Sequence, residues 1–338
     1  MPRITLFELA VLFFAFTPEL VRGQTVFNDG GTHTINAPFG PILVENNGTT
    51  LNVVSPASVT GSSGIQNGGA VVGGVGTTIN LSGGEVTGAP GSANGGNGVQ
   101  TTGFFSASGG TVTGGNAGMP GFSGGFALSS AGTDSGGLGV VISGGVFRGG
   151  DGFGGGQSGG AVGISDNNFS ITGGTFEHGA GVGVGVASFA LGDRPPGSHG
   201  VISGGSFLGN IGSQLFNRSV LDISGGSISG KMSSRMSNGS SLNFFGNNLT
   251  WTPTSSSSFE IMGDLTGQLS DGSSVDLPLT VISIDGVVKQ TGNGSEISFL
   301  SIPEPSSVVM LALGIAGVAL ACVLKSIRQS LLFAHRTD

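Results

Sequence analysis

Ionisable side chains are scarce in this chain, and the ones placed where they could do chemistry are Asp134, Asp151, Asp166, Glu177, His178, Asp193, Arg194 and Asp222. Carboxylates that converge beside a cation supply acid and base catalysis or calcium ligation, the chemistry by which polysaccharides are cleaved. Only Glu177 has a positional link to another charge. It and Arg148 each stand six residues after the first apolar residue in consecutive copies of a short refrain, which puts them one rung apart. An exposed ion pair of that kind contributes about 0 to 1 kcal/mol. The other charges fall at different phases of the refrain and scatter around the molecule. Glu177 with His178, and likewise His33 and His199, are expected to face solvent, and Asp193-Arg194-Pro195-Pro196 to form a stiff loop. The sequence has no nucleophile elbow, phosphate loop or metal-spaced histidine cluster, so no catalytic residue, metal ligand or cofactor is assigned.

The elements that must position these residues are set by the refrain itself, clearest at Ile142-Ser143-Gly144-Gly145-Val146-Phe147. It returns from Ile171, Ile202 and Ile223, and weaker copies start at Leu81 and Ala107. In every copy the second apolar residue follows the first by five positions, an odd step, whereas residues on one side of an unbroken strand are an even number apart. The chain must turn between them, and the Gly-Gly pair is where a backbone can do so. A further glycine seven residues after the first apolar position (Gly88, Gly114, Gly149, Gly209, Gly230) marks a second turn; His178 takes that place in the remaining copy, with Gly179 behind it. Earlier apolar segments such as Ala161–Ile164 and Gly185–Phe189 supply a third strand. Copies starting at 81, 107, 142, 171, 202 and 223 are 26, 35, 29, 31 and 21 residues apart, inside the range of stacked repeats, about 20 to 45 residues. The predicted fold is all-β: a parallel β-helix, or solenoid, with loops of unequal length.

Composition agrees. The 338 residues include 69 Gly, one Cys and no Tyr, and the formal net charge is -8. Such a glycine content suits disorder, but apolar residues recurring in a fixed frame do not. Eleven Lys plus Arg form no basic patch, which argues against a nucleic-acid partner. With only Cys322, in an apolar tail, there is no disulfide framework. Seven Asn-x-Ser/Thr triplets are what a chain so rich in these residues produces by chance, and they give no ground for expecting glycans.

Along the chain, Arg3 followed by the apolar run from Ile4 to Phe16, with Val21-Arg22-Gly23 behind it, reads as a signal peptide over 1–23. Residues 24–63 are expected as strands that cap the coil, 64–230 as the solenoid, and 231–302 as a β-rich cap and spacer with a turn at Asp271-Gly272. The Gly, Ser and Asn loops at Ala89–Asn97 and Gly149–Gly160 are expected to be surface segments with no packing demand.

The last part, 303–338, holds Pro303-Glu304-Pro305, an uncharged run from Ser306 to Leu324, and then Lys325, Arg328 and Arg336. At about 1.5 Å per residue the run is long enough to cross a bilayer core of roughly 30 Å as one transmembrane helix, with its basic side in the cytoplasm. The two prolines hold Glu304 extended just outside the membrane, the conformation in which proteases bind peptides.

This ordered triple resembles the tail of bacterial PEP-CTERM proteins. The resemblance covers about the last 36 residues, and departs from the family in that its basic residues are spread and followed by Leu331-Leu332-Phe333. It implies an exosortase, a membrane cysteine protease-transpeptidase, as partner, and Pro303, Glu304 and Pro305 as the sorting motif. The expected function is that of an exported structural or adhesive protein, passing through the inner membrane to the cell surface or extracellular matrix, whose Ser, Thr and Asn rows meet extracellular polysaccharide or another chain. The alternatives are a polysaccharide lyase or hydrolase on the same frame, and a surface protein that stays anchored with its tail uncut.

Overall fold

The computed structural model describes residues 23–62, 68–132, 138–182, 185–192, 197–237, 239–257, 260–283, 288–289 and 295–301. The chain divides into two compact units, Met1–Leu300 and Ser301–Asp338, and every described residue except Ser301 lies in the first. No helix among the described residues is long and apolar enough to cross a membrane. The expected signal peptide over 1–23, apart from Gly23, the expected transmembrane run over 306–324 and Pro303 to Pro305 lie outside them.

The first unit contains a coil in which each turn gives one short strand to each of three parallel faces. The first face stacks Thr25–Phe27, Ile42–Val44, Val71–Gly73, Val99–Thr101, Leu128–Ala131, Val162–Ser165, Ala187–Leu191, Ile211–Leu215 and Met232–Met236. The second begins with Thr32–Ile35, Thr50–Val53 and Thr78–Leu81, and the third with Pro38–Phe39, Ser58–Thr60 and Glu85–Thr87. Later turns join the second and third faces in single bent strands, Phe104–Thr113, Leu138–Arg148, His199–Leu208 and Val220–Ile228, with register shifts at the bend. Among the described residues coiling is thus already present at Thr25, and the strands within 24–63, expected to cap the solenoid, are themselves turns of the coil.

The bend is the Gly-Gly pair, and its two glycines have different duties. The second one, Gly84, Gly110, Gly145, Gly174, Gly205 or Gly226, has φ between +77° and +101°, where an L side chain is strained. The first one, in the copies from Gly109 onward, lies against a carbonyl oxygen of the turn below: a Cβ on Gly144 would stand 2.6 Å from the Ser108 oxygen. The odd five-residue step then works as expected, with Ile142 and Phe147 both fully buried on different faces.

Inside, the apolar positions stack into ladders. Phe147, Phe176 and Phe207 follow one another on the third face, with ring centroids 5.4 and 4.6 Å apart and rings 17° and 12° from parallel. Phe169 meets Phe189 across the interior at 4.6 Å. All five are fully buried, each side chain contributing about 1.5 to 3 kcal/mol through burial and each aromatic pair about 0.5 to 1.5 kcal/mol beyond area. A polar column accompanies them at the corner before the second face, where Thr49, Thr77, Ser219 and Ser240 are buried and hydrogen-bonded to backbone groups.

The glycine-rich loops differ from expectation: they are packed. The backbone N–H of Gly96 donates to Ala89, Gly115 to Gly96, Gly125 to Gly115, Gly150 to Gly125 and Gly159 to Gly150, at 2.7 to 2.9 Å. Outgoing and returning limbs of successive loops thus alternate in one ladder. A Cβ on Gly115 would fall on the Ala89 oxygen, and one on Gly125 on the Gly96 oxygen. These glycines serve close approach, the reason glycine is obligatory wherever backbones crowd together.

At the far end the strand Ser241–Ser256 leaves the second face and starts an antiparallel meander with Glu260–Leu269 and Ser274–Ser283. The last of these returns to the first face and pairs in parallel with Met232–Met236. The coil runs on past the expected boundary at 230, through Met232–Met236 and the start of Ser241–Ser256, and only then does the antiparallel meander follow, with its turn at Asp271 and Gly272.

Candidate functional site

Alternation along each strand sends one set of side chains inward and the other into regular outward columns. On the second face Leu51, Ile79 and Phe105 are buried, so Thr50, Thr78 and Phe104 project outward in one column and Asn52, Asn80 and Ser106 in the next. Asn80 Nδ2 donates to Asn52 Oδ1 at 2.9 Å, 28 residues earlier in the chain. On the third face Thr60, Thr87 and Thr113 form a column that continues into Arg148 and Glu177.

The charged candidates separate around this frame. Arg148 and Glu177 are register partners, as expected. Arg148 also has a partner in its own loop, Asp151, at 3.5 Å. Asp151 in turn accepts a 2.7 Å hydrogen bond from the backbone N–H of Ala180, so it stitches neighbouring loops together. Asp166 sits at the corner between the first and second faces with φ +50°. The His178 ring Nδ1 lies 2.6 Å from the Gly179 carbonyl oxygen. Asp134, Asp193 and Arg194 lie outside the described residues, as do Glu304, Lys325, Arg328 and Arg336.

One polar cluster was not legible in the sequence. On the second face Asp222 Oδ2 is 2.8 Å from His199 Nε2, and Asp222 Oδ1 accepts from Asn243 Nδ2 at 2.8 Å. His199 is exposed, as expected, but partnered. Its partner lies 23 residues away, so only the rung register joins them. Among the described residues no group of three or more His, Cys, Asp or Glu gathers as a metal site.

His33 corrects the expectation of a solvent-facing ring. It is in register with the fully buried Leu51, so it points inward at the first turn and stacks on Phe27 with centroids 4.2 Å apart. Its Nε2 lies 2.8 Å from Asp29 Oδ1. The hydrogen bond with His33, followed by that from the Gly31 N–H, holds the exposed Asp29 carboxyl below the ordinary aspartate range. The physical reason is strand parity: His33 and Ile35 are two apart, and Ile35 belongs to the core.

The arrangement thus offers short, regular polar columns, with Asp151 and Asp222 held in separate hydrogen-bond networks. No protein-family model, curated protein or solved structure matches this chain.

Proposed function

We propose that the chain is an exported bacterial protein of the cell surface or extracellular matrix, with a structural or adhesive role. Its tail is read by an exosortase-type transpeptidase at Pro303, Glu304 and Pro305, with the apolar run across the inner membrane and Lys325, Arg328 and Arg336 on the cytoplasmic side. The observation that carries the passenger's role is the pair of hydroxyl and amide columns on the second face, backed by a fully buried apolar core. Extended columns suit contact with a long polymer or another chain, whereas cleavage calls for carboxylates gathered at one point. Asp151 and Asp222 are instead tied into separate networks, one between loops and one on the second face.

Export is tested on intact cells of the native host with a membrane-impermeant amine reagent. Lys231 is exposed at the end of the repeats and becomes labelled without lysis if the passenger is outside. Labelling of Lys231 only after lysis would overturn the proposal.

A further inference from the structure

We infer that the first half of the second face is a binding site for an extended, neutral polysaccharide, with Phe104 as its stacking platform. Phe104 follows Thr50 and Thr78 in one outward column, while Asn52, Asn80 and Ser106 stand beside it in the other. Its neighbour Phe105 is fully buried in the core, so Phe104, only partly buried, projects to the outside on a fixed backbone. An aromatic ring flanked by hydroxyls and an amide offers a flat apolar surface for the C–H face of a sugar ring, and donors and acceptors for its hydroxyls. At the rung spacing, about 4.7 to 4.9 Å, one column sets Thr32, Thr50 and Thr78 before Phe104, and the other sets Thr34, Asn52, Asn80 and Ser106 in a row. That is the form of recognition a linear polymer needs. Neutrality follows from the side chains present: among the described residues, no charged side chain projects from this face before His199. An acidic polymer finds no cation there, and a basic one no carboxylate.

The inference takes its setting from the proposed export, but binding is measured on the purified protein, so its failure leaves sorting untouched. The full chain, held in mild detergent, is sedimented with insoluble cellulose, with insoluble mannan and with an alginate gel. Retention on at least one neutral polymer and not on alginate is expected. Phe104→Ala should lower that retention at least tenfold with an unchanged unfolding transition, and Phe104→Trp should restore it. Phe153→Ala, on an exposed loop, should leave it as in the wild type. Four results overturn the inference: no retention on either neutral polymer, equal retention of Phe104→Ala, stronger retention on alginate, or arrest of ice growth without glycan retention. The last would assign the columns to a water lattice.

Discussion

Asp271 Oδ2 accepts a 2.7 Å hydrogen bond from the backbone N–H of Gly226, the second glycine of the last refrain. Ser273 Oγ donates to the Gly226 carbonyl at 2.9 Å, and the Asp271 N–H to the Ser224 carbonyl at 3.2 Å. In earlier turns these corner groups meet the next turn; the Gly84 carbonyl, for example, accepts from Thr111 N–H. The hairpin turn therefore takes the place of a further turn and ends the coil with its corner satisfied.

Partial burial pushes the Asp271 carboxyl upward, but hydrogen bonds from Ser273 and the Gly226 N–H outweigh it and hold the group below the ordinary aspartate range. A depressed folded-state pKa gives stability that is present above the unfolded value, about 3.9, and lost as pH falls through the folded one. Asp271→Asn is expected to lower stability at neutral pH by about 0.5 to 1.5 kcal/mol, toward the low end because water screens the carboxylate. Urea titrations at pH 7 and in strong acid check this, with the difference shrinking in acid.

The corner glycines yield a paired prediction. Gly174→Ala places a side chain at φ +101° and costs about 1 to 2 kcal/mol by backbone strain alone. Gly144→Ala instead drives a methyl group to 2.6 Å from the Ser108 oxygen and forces adjacent turns apart. Chemical denaturation should show both variants destabilised.

Phe176 lies between Phe147 and Phe207 in the aromatic ladder. Phe176→Ala removes both ring contacts and leaves a cavity, an expected loss of about 3 to 5 kcal/mol. Phe176→Leu keeps most of the buried volume and should lose less, as thermal unfolding of the two variants would show.

The loop ladder separates from the core by hydrogen exchange. Gly125→Ala puts a methyl group on the Gly96 oxygen, so the amides of Gly115, Gly125 and Gly150 should exchange faster. The amides of Val162–Ser165, on the first face, should keep their protection.

Much of this was legible in the residues. The odd step from Ile142 to Phe147 fixed a turn at Gly144-Gly145 because strand periodicity leaves no other reading, and the Asp271-Gly272 turn was named by its residue types. The glycines at 96, 150 and 159 read as loop because composition reports permissiveness, and close approach depends on limbs far apart in the chain. Thr50, Asn52, Thr78 and Asn80 lay in recognisable strands, but their columns exist only through rung register. The same holds for His199 and Asp222. His33 could have been placed by parity with Ile35, and its polarity concealed that.

The central claim, a coil delivered outward through its tail, is tested most directly by mass spectrometry of surface and membrane fractions from the native host, wild type against Glu304→Ala. Wild-type protein should lack everything after the Pro303 to Pro305 region, while the variant keeps its tail in the membrane fraction. Intact chains ending at Asp338 in both would contradict processing and leave a solenoid held by a simple anchor.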